Sequence, residues 1–318
     1  MNFIRKQKMG LFNAKDEPVT GYLHRCYAES LGAYGTLHEL PLCQGWVLDR
    51  PISGFSYRDA MGCYPLFACR DWSQLHKDLD KIGDTLVSVA LVTDPFGEYD
   101  EKYLHKCFTV VRPFKAHYIA DLDQPLNQVV SKHHNYYARR ALRDIEVERC
   151  DSPIDYLDEW VELYDCLIQR HGLRGIQAFS KDIFSKQLTT PGIVMFRALY
   201  KDKVVGAHLW CEQGQVAYSH LTAFNVDGYQ LNASYALYFN ALQDFSKKLR
   251  WVNLGAGAGV SSDGNDGLSR FKKGWSTETR TVYFCGCVFD QMKYREITLA
   301  KGVAETDYFP SYRKGEFL

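Results

Sequence analysis

The chain has 318 residues, of which 46% are hydrophobic, and its 38 lysines and arginines balance 38 aspartates and glutamates. A formal charge of zero argues against nucleic-acid binding through a broad basic field, although it is compatible with a local basic groove. The apolar content is that of folded globular proteins, and no apolar run approaches the length of a membrane span.

The first third of the chain predicts helices and strands in alternation. Leucine and isoleucine at helical spacing predict a short helix at 73–82, and the apolar run after it predicts a buried strand at 85–96 that ends in Asp-Pro. A second helix is predicted at 98–107. The segment 108–122 is rich in β-forming residues and predicts a pair of strands around Pro113.

A basic, aromatic helix at 131–144, with Ser131 at its cap, opens a long and regular series of elements. Three strands in this series are joined by tight turns, which is typical of an antiparallel meander. In chain order, the predicted elements are a strand at 145–150, helices at 154–171 and 180–190, strands at 192–200, 204–212 and 215–224, a helix at 233–249, a strand at 251–259, a helix at 267–275 and a strand at 279–289.

This order limits the architecture, because a meander followed by a right-handed βα crossover gives a mixed sheet with helices on both faces. Such a sheet can splay beside its crossover, so we expect a cleft between the strands at 215–224 and 251–259. The helix at 233–249 opens after a glycine-bearing turn, and its free N–H groups and positive dipole end suit the phosphates of an activated acyl donor. A crossover without a ligand explains the same pattern.

Four stretches, in this order and spacing, resemble the GNAT acyltransferase superfamily and, more narrowly, its FemAB-like branch. They are PFKAHYIADL at 113–122, ARRALRD at 138–144, GYQLNASYALYFNAL at 228–242 and GLSRFKKGW at 267–275. The resemblance covers roughly residues 110–289. It implies an α/β (α+β) fold of two tandem GNAT-like domains, at 1–125 and 126–300 with a tail at 301–318. Each domain would have a mixed, mostly antiparallel sheet flanked by helices, with splayed strands in the second.

The same resemblance implies an enzyme that joins an acyl or aminoacyl group to an amine by direct attack in a ternary complex. The donor would be acyl-CoA or an aminoacyl-tRNA, and the acceptor a small molecule or a peptide amine. The family places Lys272, which follows Phe271, near the developing negative charge. It places the donor along the turn and helix start formed by Gly228, Tyr229, Gln230, Leu231, Asn232, Ala233 and Ser234.

The donor turn has fewer glycines than the usual GNAT loop, and the sequence shows no long helical hairpin of the kind common in enzymes that build peptidoglycan bridges. Two alternatives therefore remain open. One is a FemAB-like transferase that modifies a peptidoglycan precursor or an exopolysaccharide amino sugar. The other is a catalytically silent GNAT-like binding module.

Polar residues beside the expected cleft are candidates for the chemistry. Strict alternation puts Tyr218, His220 and Thr222 on one face of their strand. We expect His220 to deprotonate the incoming ammonium, and Tyr218 or Tyr235 to protonate the leaving group. Asn253, on the strand across the cleft, can orient an amide or an amine. Half-buried residues with satisfied hydrogen bonds are the alternative interpretation.

The helix at 131–144 carries the only dense basic patch, and two of its tyrosines are available for stacking. The patch suits a phosphorylated substrate or the acceptor end of a tRNA, although a solvated helix between domains fits equally well. The glycine-rich loop at 255–267 can close over a substrate, or can be a simple connector. The candidate phosphate-binding residues are Lys132, Arg139, Arg140 and Arg143.

The ten cysteines are scattered, and several fall in apolar segments, where a thiol behaves as a small buried hydrophobe. A single Cys-x-Cys at 285–287 does not make a zinc site. We see no secretion signal, and free thiols fit a reducing compartment. The sequence therefore predicts no bound metal, no membrane span and a cytoplasmic location.

Overall fold

A computed structural model describes residues 18–259, 266–303 and 306–316. Its centre is one sheet of eleven strands in the order β1-β2-β3-β4-β11-β5-β10-β9-β8-β7-β6. The strands are β1 Thr36–Leu40, β2 Gly45–Pro51, β3 Arg58–Gly62, β4 Ser88–Val92, β5 Val110–Asp121, β6 Glu146–Cys150, β7 Ile193–Tyr200, β8 Lys203–Gln213, β9 Val216–Phe224, β10 Trp251–Asn253 and β11 Glu278–Val288.

Helices flank this sheet. They are α1 Arg25–Ser30, α2 Leu75–Gly83, α3 Glu101–Cys107, α4 Leu126–Val129, α5 Lys132–Ala141, α6 Leu157–His171, α7 Lys181–Gln187, α8 Val226–Gln230, α9 Ala233–Phe245, α10 Gly267–Lys273 and α11 Gln291–Ala300. The predicted fold class is confirmed: the sheet is mixed and mostly antiparallel, and of its ten strand pairings only β3–β4 and β9–β10 are parallel.

The sheet is continuous across both halves of the chain. β5 pairs with β10 on one side and with β11 on the other, and β11 also pairs with β4. A single core cluster contains Tyr27 and Leu48 from the first half and Trp160 and Leu209 from the second. The tandem sheets expected from the resemblance are therefore joined into one.

Local signals explain the helix boundaries. The Ser131 hydroxyl accepts from His134 N–H and caps α5, and Ser180 caps α7 in the same way through Ile183 N–H. Gly172 ends α6 with a φ of 60°, a conformation that glycine adopts without strain. The cap at Ser131 was predicted from the sequence, and the helix predicted at 180–190 begins at Ser180.

Three local predictions differ from the structure. Residues 108–122 form one strand instead of two, because Pro113 is accommodated at a register irregularity opposite Val282–Tyr283. The turn expected at 225–232 contains α8, because the Asn225 side chain caps it by accepting from Gly228 N–H. The helix after it ends at Phe245, four residues before the predicted end.

Candidate active site

The expected splay lies between β9 and β10. These parallel strands pair only from Val216–Trp251 to Tyr218–Asn253, and β10 then ends. Leu254 N–H bonds to the Tyr118 carbonyl, so the chain after β10 follows β5 away from β9. Within the described residues no strand covers the β10-facing edge of β9 beyond Tyr218, and this leaves a gap of the predicted kind.

A bulge in β9 coincides with the start of the gap. Leu209 of β8 lies opposite Leu221, but Trp210 lies opposite Ser219, so His220 is an extra residue. Beyond the bulge, the side chains of β9 alternate between the two faces of the sheet in the opposite phase. Thr222 therefore hydrogen-bonds to Tyr238 of α9, on the same face of the sheet as Ser219. The prediction that Thr222 shares a face with His220 was wrong for this reason.

Lys272 reaches the gap from α10, where its ammonium donates to the Ala256 carbonyl at 2.7 Å. Burial of the ammonium and, second, the nearby Lys115 cation lower the pKa of Lys272 to about 8, against a smaller opposing effect of Asp266. Asp266 also caps α10 by accepting from Leu268 and Ser269 N–H at 2.9 and 3.0 Å.

His134 of α5 fixes the other end of α10. Its Nε2 lies 2.9 Å from the Phe271 carbonyl and its Nδ1 lies 2.8 Å from the Ser131 hydroxyl. Gly274 passes so close to this imidazole that a Cβ there would overlap it. The lysine is thus carried on a helix that is held at both ends.

Asn253 is the last residue of β10, where it pairs with Ile119 of β5 and with Tyr218 of β9. Its Oδ1 accepts from Gly255 N–H at 2.9 Å and lies 3.0 Å from His117 Nδ1 on β5. Burial, followed by the Lys272 charge, lowers the pKa of His117 to about 4. Lys115, two residues earlier on the same face of β5, donates to the carbonyls of Gly257 and Gly259.

We call Lys115, His117, Asn253 and Lys272 the open cluster. Sequence reasoning selected Asn253 and Lys272 but missed the two β5 residues. A signal was available, because Lys115 and His117 alternate on a predicted strand inside one of the stretches that carry the family resemblance.

Tyr218 and His220 lie in a different setting. Tyr218 Oη donates to Asp94, 2.8 and 3.0 Å from its two oxygens, and both residues are buried. His220 Nδ1 lies 3.1 Å from Tyr22 Oη and its Nε2 lies 3.3 Å from Gln187 Oε1. We call these five residues the closed cluster, because its members bond mainly to one another.

These contacts disfavour the base role predicted for His220. The Gln187 oxygen can only accept, so Nε2 carries the proton and Nδ1 accepts from Tyr22. Burial lowers the pKa of His220 to about 3, and with both ring nitrogens already hydrogen-bonded it has no free atom to accept a proton from an amine. Burial and then Asp94 raise the pKa of Tyr218, and its hydroxyl is committed to that carboxylate.

The predicted donor turn spans α8 and the start of α9. Asn232 occupies the N-cap position of α9 with a φ of 57°, but its side chain accepts no hydrogen bond from the helix. The first backbone amides of this 13-residue helix therefore have no side-chain acceptor. Gly228 has a packing reason to be glycine, since a Cβ there would meet the Val205 carbonyl at 2.1 Å. Tyr229 stacks under Arg170, whose guanidinium carbon is 4.1 Å from the ring centroid.

Tyr235 lies in the first turn of α9, among aromatic rings that connect α9 to α5 and α10. Its ring centroid is 5.2 Å from that of Tyr137 and 5.1 Å from that of Phe271. Phe271 also contacts Tyr238, at 5.0 Å, and Tyr238 Oη lies 3.4 Å from Ser219 Oγ. Tyr238 of α9 therefore reaches β9 at Ser219, where the uncovered part begins, and Phe271, the residue before Lys272, lies against it.

The basic residues predicted for phosphate binding are exposed on α5 and its C-terminal end. Within the described parts of the chain, none of the four forms an ion pair, whereas Arg149 pairs with three carboxylates and Arg197 with two. The four are Lys132, Arg139, Arg140 and Arg143.

A cavity of about 690 Å³ lies elsewhere, between α11, the start of β5 and residues 306–311, and includes none of the open cluster. We place the site at the gap because strand separation exposes backbone groups there. The described residues include no helix long and apolar enough to cross a membrane. Over the same residues, no group of histidine, cysteine and acidic side chains is arranged to hold a metal.

Comparisons with known proteins agree with this geometry. Residues 131–273, which include β9, α9 and Lys272, match the family model of the acetyltransferase (GNAT) domain. The structure of FemX superposes with a TM-score of 0.63 at 14% identity, covering 89% of this chain and 96% of that one. No curated protein matches the sequence.

Two further solved structures share the fold. The C-terminal domain of a protein described as a candidate lysylphosphatidylglycerol synthetase from Agrobacterium fabrum gives a TM-score of 0.59 at 14% identity, covering 81% of this chain and 87% of that one. L-PGS from Bacillus licheniformis superposes with a TM-score of 0.56 at 13% identity, covering 91% of this chain and 100% of that one. The predicted resemblance to the GNAT superfamily is confirmed over residues 131–273, and the likeness to FemX is one of fold.

Proposed function

We propose that this protein transfers an acyl or aminoacyl group from an anionic carrier to an amine, forming an amide by direct attack in a ternary complex. The observation that carries the proposal is the gap after Tyr218, where β10 leaves β9 and Lys272 arrives from α10. A strand edge without a partner can bond an extended carrier arm through its backbone.

The charges beside the gap support an anionic carrier. The start of α9 presents amides and a positive dipole end. α5 packs against α9, and four exposed cations, three on α5 and Arg143 just after it, form no ion pairs among the described residues. Because the cations extend along a helix, an aminoacyl-tRNA fits them better than the compact phosphates of acyl-CoA. One neighbour's name, lysylphosphatidylglycerol synthetase, also denotes an aminoacylated product.

Lys272 has a defined role in this proposal. A fixed ammonium at the gap stabilises the oxyanion that forms when an amine attacks the carrier's carbonyl carbon. The predicted roles of Asn253 and Tyr235, orienting the amine and protonating the leaving group, remain part of the proposal. His220 and Tyr218 leave it, because their polar atoms are bonded within the closed cluster.

Binding and turnover of both carriers test the proposal. The full chain is incubated with labelled acetyl-CoA and, separately, with a labelled aminoacyl-tRNA mixture, with peptides and amino sugars as acceptors. We expect one carrier to be bound and consumed with formation of an amide. If neither is bound or consumed, the proposal is wrong; if a carrier is bound but Lys272→Ala binds it equally and no amide forms, a silent binding module is the better conclusion.

A further inference from the structure

His117 is held in one tautomer by two hydrogen bonds that meet on a single oxygen. Gly255 N–H donates to Asn253 Oδ1 at 2.9 Å, so this atom is the acceptor end of the amide. His117 Nδ1 lies 3.0 Å from the same oxygen and must therefore carry a proton. In the neutral ring Nε2 then holds the lone pair, and it is the basic atom.

Charges around the ring keep this lone pair available. Lys115 shares the face of β5 with His117, and Lys272 approaches from α10. Burial and these neighbouring cations disfavour a positive charge on the imidazole, so the His117 ring is neutral at physiological pH.

The other histidines near the gap have no such atom available. Both ring nitrogens of His134 and of His220 have hydrogen-bond partners. His208 Nε2 lies 2.9 Å from Ser219 Oγ, and its Nδ1 is unpartnered, but the residue is fully buried between Trp210 and Tyr238. His117 is partly exposed, and Nε2 makes no hydrogen bond to another described residue.

We propose that His117 is the catalytic base of the transfer and that Asn253 is the residue that orients it; this rests on the proposed function. The amine lone pair forms the new C–N bond, the carbonyl C–S or C–O bond to the carrier breaks, and the amine proton moves to His117 Nε2. Tyr235 protonates the leaving sulfur or oxygen, Lys272 stabilises the oxyanion, and the proton on the imidazolium passes through solvent to restore Tyr235. No further reactant is consumed.

Kinetics of the full-length protein test the base, with labelled acetyl-CoA or aminoacyl-tRNA as donor and glycinamide as acceptor. His117→Gln should lower kcat by about 10²–10⁴-fold, the usual contribution of a general base, and leave the donor KM nearly unchanged. Added imidazole should restore part of the kcat of His117→Ala. His105→Ala, an exposed histidine on α3, is the matched control and should keep wild-type kcat with no response to imidazole.

Two outcomes overturn the inference while leaving the proposed function intact: wild-type kcat in His117→Gln, or no rescue of an impaired His117→Ala by imidazole. Absence of transfer by the wild-type protein instead counts against the proposed function. NMR of ¹⁵N-labelled histidine then decides the state of His117 without any donor, with His117→Gln assigning the signal. We expect a proton on Nδ1 and none on Nε2 between neutral and mildly acidic pH; the opposite tautomer or an imidazolium overturns the base role.

Discussion

The closed and open clusters adjoin at one register pair, Tyr218 and Asn253, and differ in how their polar groups are satisfied. In the closed cluster the Asp94 carboxylate accepts from Tyr218, and the His220 ring is bonded at both nitrogens. In the open cluster two ammonium groups donate only to loop carbonyls, and one imidazole nitrogen has no described partner.

The difference separates a structural role from a catalytic one. Buried polar groups whose hydrogen bonds are all made help to specify a fold. Placing like charges together in a partly buried position lowers the free energy of unfolding, and packing contacts do not offset this loss. Asp266 offsets the charges of Lys115 and Lys272 only in part, since burial still lowers the pKa of both. An anion or an oxyanion would complete the open cluster, whereas in the closed cluster the Asp94 carboxylate and both His220 nitrogens already have partners.

Removing the central cation of the open cluster should have a greater consequence for turnover than any change to the closed cluster or to α5. Lys272→Met keeps the apolar stem and should lower kcat by about 10²–10³-fold, because the oxyanion loses its charged donor. The midpoint of thermal unfolding should change little, since the ammonium bonds only to the Ala256 carbonyl.

Lys273→Met is the matched control, as Lys273 is the exposed neighbour on the same helix and should keep wild-type kcat. Loss of stability in Lys272→Met with unchanged kcat would reverse the assignment of the two clusters.

The closed cluster should show the opposite response. Tyr218→Phe deletes the hydroxyl that donates to buried Asp94 and should lower the free energy of unfolding by about 1–3 kcal/mol at pH 7, measured by denaturant titration. Burial raises the pKa of Asp94 to about 6, with partial compensation from its hydrogen bonds.

The sign of the pH dependence follows from that pKa. Because the folded-state pKa exceeds the unfolded one, stability from Asp94 is present in acid and is lost as the pH rises through about 6. The effect of Tyr218→Phe should therefore shrink at lower pH, where the carboxyl is protonated. An equal loss at both pH values, or a fall in kcat matching that of Lys272→Met, contradicts a purely structural role.

The contrast also shows what the sequence could predict. Periodicity and caps located α5, α6, α7 and α9, because those signals act within a few residues. The element order predicted the splay. The bulge at His220 depends on pairing with β8, so strict alternation misplaced Thr222. The partners of His220, Tyr22 and Gln187, come from distant segments, and no local pattern indicates that they saturate its ring.

The exposed cations of α5 are the proposed contact for a tRNA carrier, and reversing two of their charges should have a smaller effect. Arg139→Glu combined with Arg140→Glu should raise the KM for the tRNA carrier by about tenfold at low salt and flatten its salt dependence, because fewer counterions are released. Lys77→Glu, exposed on α2, is the charge-matched control. Unchanged KM and salt dependence would show α5 to be a solvated helix.

A weaker effect should come from the repulsion between Lys115 and Lys272 within the open cluster. If the ammonium form of Lys272 is required, the rate of the wild-type protein should fall as the pH rises through about 8. Lys115→Met removes the charge that repels this ammonium, so the pKa of Lys272 rises and the alkaline limb should move to higher pH by less than about one unit. Burial, which is the larger cause of the lowered Lys272 pKa, remains in this variant. The alkaline limb of the pH–rate profile should therefore stay below the pKa of a free lysine.

The direction of this shift distinguishes two roles for Lys272. A lysine that acted as the base would be active when neutral, so the rate would rise through pH 8 and Lys115→Met would lower it there. Lys273→Met carries the same change in charge on the exposed side of α10 and should leave the limb in place. A limb that stays fixed in Lys115→Met would mean that the two cations are independent, and the open cluster would then be a set of neighbours without a shared electrostatic function.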